Sequence, residues 1–436
     1  MVRVTADPVL EIETVARPWD KLEDVNALLG RIGEAHYVLL GEASHGTSEF
    51  YAWRNRISQQ LIAKKGFSFI AVEGDWPDCY KVNRYVKHYP RSGKSATEVL
   101  GRYERWPTWM WANKEIVRLA EWLRGYNENL PVEERVGFYG MDVYSLWDSL
   151  NAVVNYLEKT DPEAARQAKE AYRCFEPYGH DPQMYAYNTA FTPKSCEEDA
   201  IRVLQLMQEK LPAFDNDYEA NFNAEQNARV VVNAEHYYRT MIRGNAASWN
   251  IRDNHMVETL SNLMKRYGPD SKAIIWAHNT HVGDARYTDM IDHGMVNIGQ
   301  LIRETQSEDN TVLIGFSTYE GTVVAGARWD APMQIMDVPP AKRGSWEAML
   351  HEAMPRNKLI LSHEVPQYES FWQVRDHRAI GVVYDPHRES LGNYVPTLLP
   401  KRYDAMIHID RTRALHPLHI EPRHTRDLPE TFPWTT

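Results

Sequence analysis

Strand-like and helix-like segments alternate at both ends of this chain, but between about Ser145 and Tyr267 almost no strand signal occurs. Any sheet must therefore be built from two separated stretches of sequence. Near the N-terminus, β-rich runs lie at Tyr37–Leu40, Phe67–Val72 and Arg135–Tyr139, with helix-like segments at Thr47–Lys65 and Asn113–Asn127 between them. Strand, helix, strand in that order predicts an α/β unit with a largely parallel sheet. Strand signals return at Lys272–Ala277, Thr311–Tyr319, Thr322–Ala325, Ala379–Tyr384 and Ala405–His408. The two runs around Glu320-Gly321 read as an antiparallel hairpin, which makes the sheet mixed.

The middle of the chain shows helical periodicity at Leu146–Lys159, Pro162–Phe175, Lys194–Leu211, Asp217–Ile242 and Trp249–Tyr267. Asp161-Pro162 and Thr192-Pro193 read as helix starts, with Pro at the first helical position. The expected architecture is a mixed, largely parallel sheet flanked by helices. Residues 1–145 and 246–436 form a discontinuous α/β core, and 146–245 form an all-helical insertion that contributes to a substrate cleft.

Composition excludes several classes. The chain has 436 residues, 49 Lys and Arg against 60 Asp and Glu, and a formal charge of −11. Non-specific nucleic-acid binding runs on basic patches, so nucleic acid is not expected as a partner. Cys79, Cys174 and Cys196 are far apart and form no C-x-x-C. Reduced thiols in a cytoplasm are the plain expectation. The start, MVRVTADPVLEIE, lacks the apolar stretch of a secretory signal. No apolar run approaches the ~18 residues of a membrane helix, so no membrane partner is expected. The 14 Trp and 24 Tyr fill either a core or a ligand cleft, and their number does not choose between them.

Ligands of open α/β sheets bind outside the carboxyl ends of the strands. The first expected strand is followed by Gly41-Glu42-Ala43-Ser44-His45-Gly46-Thr47, the second by Glu73-Gly74-Asp75-Trp76. The third is followed by Gly140-Met141-Asp142, the fourth by His278-Asn279-Thr280-His281-Val282-Gly283-Asp284. Four strand ends carrying carboxylates or histidines point to one site. Arg54 adds a second sign. It shares a helix face with Phe50 and Ile57, and an Arg turned toward a sheet needs a carboxylate, here Glu42 or Glu73.

Glu42 can orient His45, and an oriented imidazole can take a proton from water. His278 and His281 can polarise a carbonyl or protonate a leaving alcohol. This suits ester hydrolysis by direct water attack. No G-x-S-x-G elbow occurs, and no phosphate-binding glycine motif occurs. Two other readings stay open: a metal-dependent hydrolase using the same His and Glu cluster, and a non-enzymatic binder of a large hydrophobic ligand such as haem. Asp142 reads as a structural acceptor, Asp284 with Arg286 as an ion pair, and Cys79 as a buried small hydrophobe. Arg252 and His255 share a helix face and reach either the cleft or a packed network.

The blocks GEASHGTSEFYAWR, AVEGDWPD, RWPTWMWAN, SWNIRDNHM and HNTHVGDAR occur in that order between about Val38 and Pro417. In these blocks the chain resembles the erythromycin esterases. The resemblance implies an α/β core with a helical part, and opening of macrolide lactones without a metal or other cofactor. It implies His45 as general base, Glu42 and Glu73 as its supporting carboxylates, Arg54 as the arginine, and His278 and His281 as the later histidines. Trp106, Trp109 and Trp111 are the expected substrate contacts, since their spacing does not suit a single buried helix face. The expected partner is a small-molecule ester or lactone.

Overall fold

A computed structural model describes residues 8–179, 181–192, 194–209, 218–242, 244–366 and 371–419. Its strands are β1 Arg17–Pro18, β2 Tyr37–Leu40, β3 Phe69–Asp75, β4 Gly137–Asp142, β5 Ala273–Trp276, β6 Thr311–Gly326, β7 Met333–Val338, β8 Lys358–Leu361, β9 Arg375–Arg378, β10 Tyr394–Thr397 and β11 Ala405–Thr412. One sheet runs in the order β1, β8, β11, β6, β2, β5, β3, β4, with β7 added on β6, while β9 and β10 form a separate ribbon. Every neighbouring pair from β11 to β4 is parallel. The pairs made by β1, β7 and β8 are antiparallel. The mixed, largely parallel α/β sheet flanked by helices is thus present.

β2 and β5 are buried along their whole length. A parallel strand covered on both faces needs apolar side chains at odd and even positions, so YVLL and AIIW show no alternation. On one face, Val38, Leu40 and Ile70 pack with Phe50, Ile57 and Leu61 of the Ser48–Lys65 helix and with Ile116 of the Lys114–Asn127 helix. On the other, Leu39, Ala71 and Ile275 pack with Met256 and Leu260 of the Asn245–Tyr267 helix and with Ile298 and Ile302. Neighbouring residues of one strand face opposite layers, as the period of two demands. The Asn113 side chain accepts from the Ile116 N–H, and Gly66 closes the Ser48–Lys65 helix in the left-handed conformation.

A third apolar cluster draws its buried members from 143–241. The Leu146–Thr160, Pro162–Tyr172, Glu197–Glu209 and Ala220–Met241 helices supply Val153, Ala168, Val203 and Val231 to it. The Asp161 side chain caps the second of these helices, as expected.

Four expectations are corrected. The Thr311–Gly326 segment is one continuous strand, not a hairpin, and its antiparallel partner is β7. Gly321 serves close approach rather than a turn, since a Cβ there would lie 2.1 Å from the Thr412 carbonyl oxygen. Ala379–Tyr384 forms only isolated bridges, at Ile380 and Val383, because the nearby strand β9 ends at Arg378. Thr192 ends the Pro182–Phe191 helix instead of starting one, and Pro193 lies outside the described residues. Cys174 and Cys196 are not reduced thiols but form a disulfide, with Cα atoms 5.7 Å apart. The helical packing brings together cysteines that sequence spacing left apart. Cys79 is free and buried. Residues 1–7, 210–217 and 420–436, which include the N-terminal start and the ends of two expected helices, lie outside the described residues. No described helix is long and apolar enough to cross a membrane.

Candidate active site

The loops after β2, β3, β4 and β5 meet at one edge of the sheet, because their strands are parallel neighbours. The first and last interlock: the Asn279 N–H donates to the Glu42 carbonyl at 2.9 Å, and a Cβ at Gly41 would sit 2.1 Å from Asn279 Oδ1. Beyond β2, strand β6 continues over the Gly41–Thr47 loop. The Val324 N–H donates to the Gly46 carbonyl, and a Cβ at Gly46 would fall 1.9 Å from the Val324 oxygen. These contacts fix His45.

His45 Nδ1 lies 3.0 Å from Glu42 Oε1, and Arg54 Nη2 donates to Glu42 Oε2 at 2.6 Å. An ionised carboxylate only accepts, so Nδ1 carries the proton and Nε2 is left as the basic nitrogen. Arg54 is fully buried and lies over the rings of Tyr51 and Trp276, 4.3 and 4.7 Å from their centroids. Its expected carboxylate partner is therefore Glu42 and not Glu73.

Glu73 belongs to a second network. Its Oε1 accepts from Arg252 Nη2 at 2.7 Å, and its Oε2 accepts from the His278 N–H at 2.7 Å. Arg252 also donates to both oxygens of Asp142, at 2.9 and 2.6 Å. Burial opposes ionisation of Glu73, but His281 and Arg252 outweigh it and hold the carboxyl well below its ordinary range. His281 Nδ1 lies 2.9 Å from Asp253 Oδ1, and its ring stacks on Trp249. Burial opposes its charge too, but Asp253 and Glu73 prevail and push it up to about 9. His278 is held well below its ordinary value, by burial first and then by the neighbouring His45. Its ring centroid is 4.9 Å from that of His45, and its Nδ1 lies 2.9 Å from Thr280 Oγ1.

A cavity of about 50 Å³ opens at this edge, walled by His45, Glu73, Asp75, Asp142, Tyr144 and Arg252 among others. That volume corresponds to roughly three or four water molecules. Trp106 and Trp111 also line it, whereas Trp109 does not and is buried in the core below. Trp111 Nε1 donates to the Glu73 carbonyl at 3.1 Å, and Trp106 Nε1 to that of Ala331 at 3.0 Å. Glu42, Arg54, His278 and His281 stand behind the wall rather than on it. No described residue of 146–245 lies on the wall.

Of the two outcomes open for the SWNIRDNHM block, Arg252 reaches the cavity wall. Arg252 reaches Glu73 and Asp142, and Asp253 holds His281, while His255 turns away to Asn233. Their signal was the SWNIRDNHM block, with two charges beside each other on a helix that packs against the sheet. Asp284 pairs with Arg286 as expected. Among the described residues, no group of three or more His, Cys, Asp and Glu is arranged to hold a metal ion.

The architecture has solved counterparts. One titled a succinoglycan biosynthesis protein superposes with a TM-score of 0.77 at 23% identity, covering 95% of this chain and 98% of that one. A Bacillus cereus protein gives 0.78 at 22%, covering 95% and 99%. A mutant of the erythromycin esterase EreC in its open conformation gives 0.65 at 16%, covering 90% and 94%. In sequence, the chain is 22% identical to the putative hydrolase YbfO of Bacillus subtilis, over 92% of this chain and 90% of that protein. It is 21% identical to erythromycin esterase type II of Escherichia coli, over 80% and 86%. The erythromycin esterase family model matches residues 62–412, most of the chain's length. On that match, with the fold to accompany it, the chain belongs to the erythromycin esterase family.

Proposed function

We propose that this protein hydrolyses a carboxylic ester or lactone by direct attack of water activated by His45. The observation that carries the reading is the buried Arg54–Glu42–His45 chain, which ends on the cavity wall with Nε2 as the open nitrogen. Arg54 pairs with Glu42, Glu42 fixes the His45 tautomer, and Nε2 takes the proton as water attacks the carbonyl. Glu73 and Arg252 set the charge of the opposite wall. His278 and His281 act from behind the wall as positioning groups, His278 through its N–H to Glu73 and His281 through its charge.

The cavity accommodates the reacting group and its water, so the bulk of a large substrate lies outside it or needs the wall to move. The family makes a macrolide lactone the first candidate. The test is mass spectrometry of the protein with 14- and 16-membered macrolides and a panel of simple esters in H₂¹⁸O, with and without chelator. The expected product carries one labelled oxygen in its new carboxyl group, and chelator has no effect. Loss of the product with chelator, and its recovery with one metal, would move the reading to metal-assisted hydrolysis. His45→Ala is expected to cut turnover by about 10²–10⁴-fold, with the circular dichroism spectrum preserved. Wild-type turnover in that variant sinks the mechanism.

A further inference from the structure

Ester hydrolysis needs a proton for the departing alkoxide as well as a base for the water. His278 and His281, the expected donors, lie behind the cavity wall. A donor on the wall itself has to be found. Four carboxyls line the cavity, Glu73, Asp75, Asp78 and Asp142, and Asp78 is paired with Lys81 Nζ at 2.6 Å. Arg252 bonds Glu73 at 2.7 Å and grips both oxygens of Asp142, so both carboxyls already serve as acceptors to a buried guanidinium.

Asp75 is held differently. Its Oδ1 is buried and has no hydrogen-bond partner among the described residues. Its Oδ2 has only a long contact to Arg105, 3.4 Å, with a quarter of the Arg105 side chain exposed. It occupies the N-cap position of the Trp76–Val86 helix, yet its side chain caps no N–H of that helix. Strand register places it beside Asp142 on β4. Asp78, on the helix that follows, and Asp148, on the Leu146–Thr160 helix, add further negative charge around it. The helix dipole favours the anion by up to ~2 kcal/mol in a partly buried setting, less than a poorly paired buried carboxylate costs. Burial, with Arg105 opposing and Asp142, Asp78 and Asp148 assisting, pushes the carboxyl up to about 7.

We infer that Asp75 is the general acid of the reaction, protonating the leaving alcohol from the wall that it shares with His45. The assignment rests on the ester-hydrolase reading above. The steps balance without another reagent. Water oxygen bonds to the carbonyl carbon as His45 Nε2 takes one water proton. The tetrahedral intermediate then breaks its bond to the alkoxide oxygen, which receives the Asp75 proton. The proton on His45 returns through solvent to Asp75, so ester and water become acid and alcohol.

The test compares two esters of one acyl group, a p-nitrophenyl ester and an ethyl ester, with wild type and Asp75→Asn. Nitrophenolate leaves as a stable anion, whereas ethoxide needs a proton. Asp75→Asn is expected to lower kcat/KM for the ethyl ester by about 100-fold or more, and for the nitrophenyl ester by a much smaller factor. Equal losses on both esters, or no loss on either, overturn the assignment. A second measurement needs no variant: wild-type kcat/KM across esters of rising leaving-group pKa. A shallow slope is expected, and a steep slope overturns the assignment whether or not Asp75→Asn folds. Silence of folded wild type on every ester overturns the hydrolase reading itself, an outcome distinct from a steep slope or equal losses.

Discussion

At the scale of residues, Arg252 is the cation that Glu73 and Asp142 share. Both carboxylates of the second network end on its guanidinium. Arg252→Met roughly keeps the volume but takes the guanidinium from two buried carboxylates, leaving His281 beside Glu73. The expected loss is about 3–5 kcal/mol in urea unfolding at pH 7. The sign with pH follows from Glu73, whose folded pKa is depressed. Its contribution is present above the ordinary carboxylate range and fades as pH falls through the folded value, so the gap between variant and wild type narrows in acid. A gap that widens in acid would contradict this account. Arg54 was legible from sequence because its own helix face declared it buried, and a buried Arg has to find a carboxylate within reach. Arg252 was not, because its partners sit at the ends of β3 and β4, and only the strand order brings those ends to the Asn245–Tyr267 helix.

At the scale of elements, the fate of the Glu320-Gly321 pair explains both what sequence reasoning found and what it missed. The central strands are continuous apolar runs, and nothing but burial on both faces accounts for them. β6 is equally regular, but a glycine that admits the β11 backbone has the same appearance as a turn glycine. β8 and β10 are four residues each and carry Lys358 and Pro396, so neither shows an apolar run longer than three residues. The far half of β6 is what presses on the His45 loop at Gly46. Gly46→Ala is therefore expected to cost about 1–3 kcal/mol, since backbone and not a flexible side chain must give way. Turnover of whichever ester proves a substrate should fall with it. Gly30→Ala is the control, in the Val25–Ile32 helix with open space around it. That change should stabilise by about 0.5–1 kcal/mol. Equal effects at the two glycines, read by chemical denaturation, would refute the role given to the β6 overhang.

At the scale of the whole molecule, the buried titrating groups oppose one another across the pH range. His281 is raised from 6.5 to about 9, so its contribution is full below 6.5 and is lost as pH rises toward 9. Lys358 runs the other way. It is fully buried on β8, its Nζ has no hydrogen-bond partner among the described residues, and burial lowers it from 10.5 to about 7. Below 7 the folded state carries that buried charge. Above 7 it sheds the proton that the unfolded chain still holds, so stability rises with pH. Asp75, raised from 3.8 to about 7, and His408, lowered by burial from 6.5 to about 4, form a similar opposed pair in acid. Each group changes stability by at most about 1.4 kcal/mol per pH unit within its window. The two slopes cancel between 7 and 9, and stability there is expected to be nearly flat. Lys358→Met removes only the rising slope. The variant should be more stable than wild type at pH 6, where the charge is no longer buried, and then lose stability between pH 7 and 9 as His281 gives up its proton. Urea unfolding at pH 6, 7, 8 and 9 measures both. A variant whose stability still held level from 7 to 9 would show that Lys358 does not offset His281.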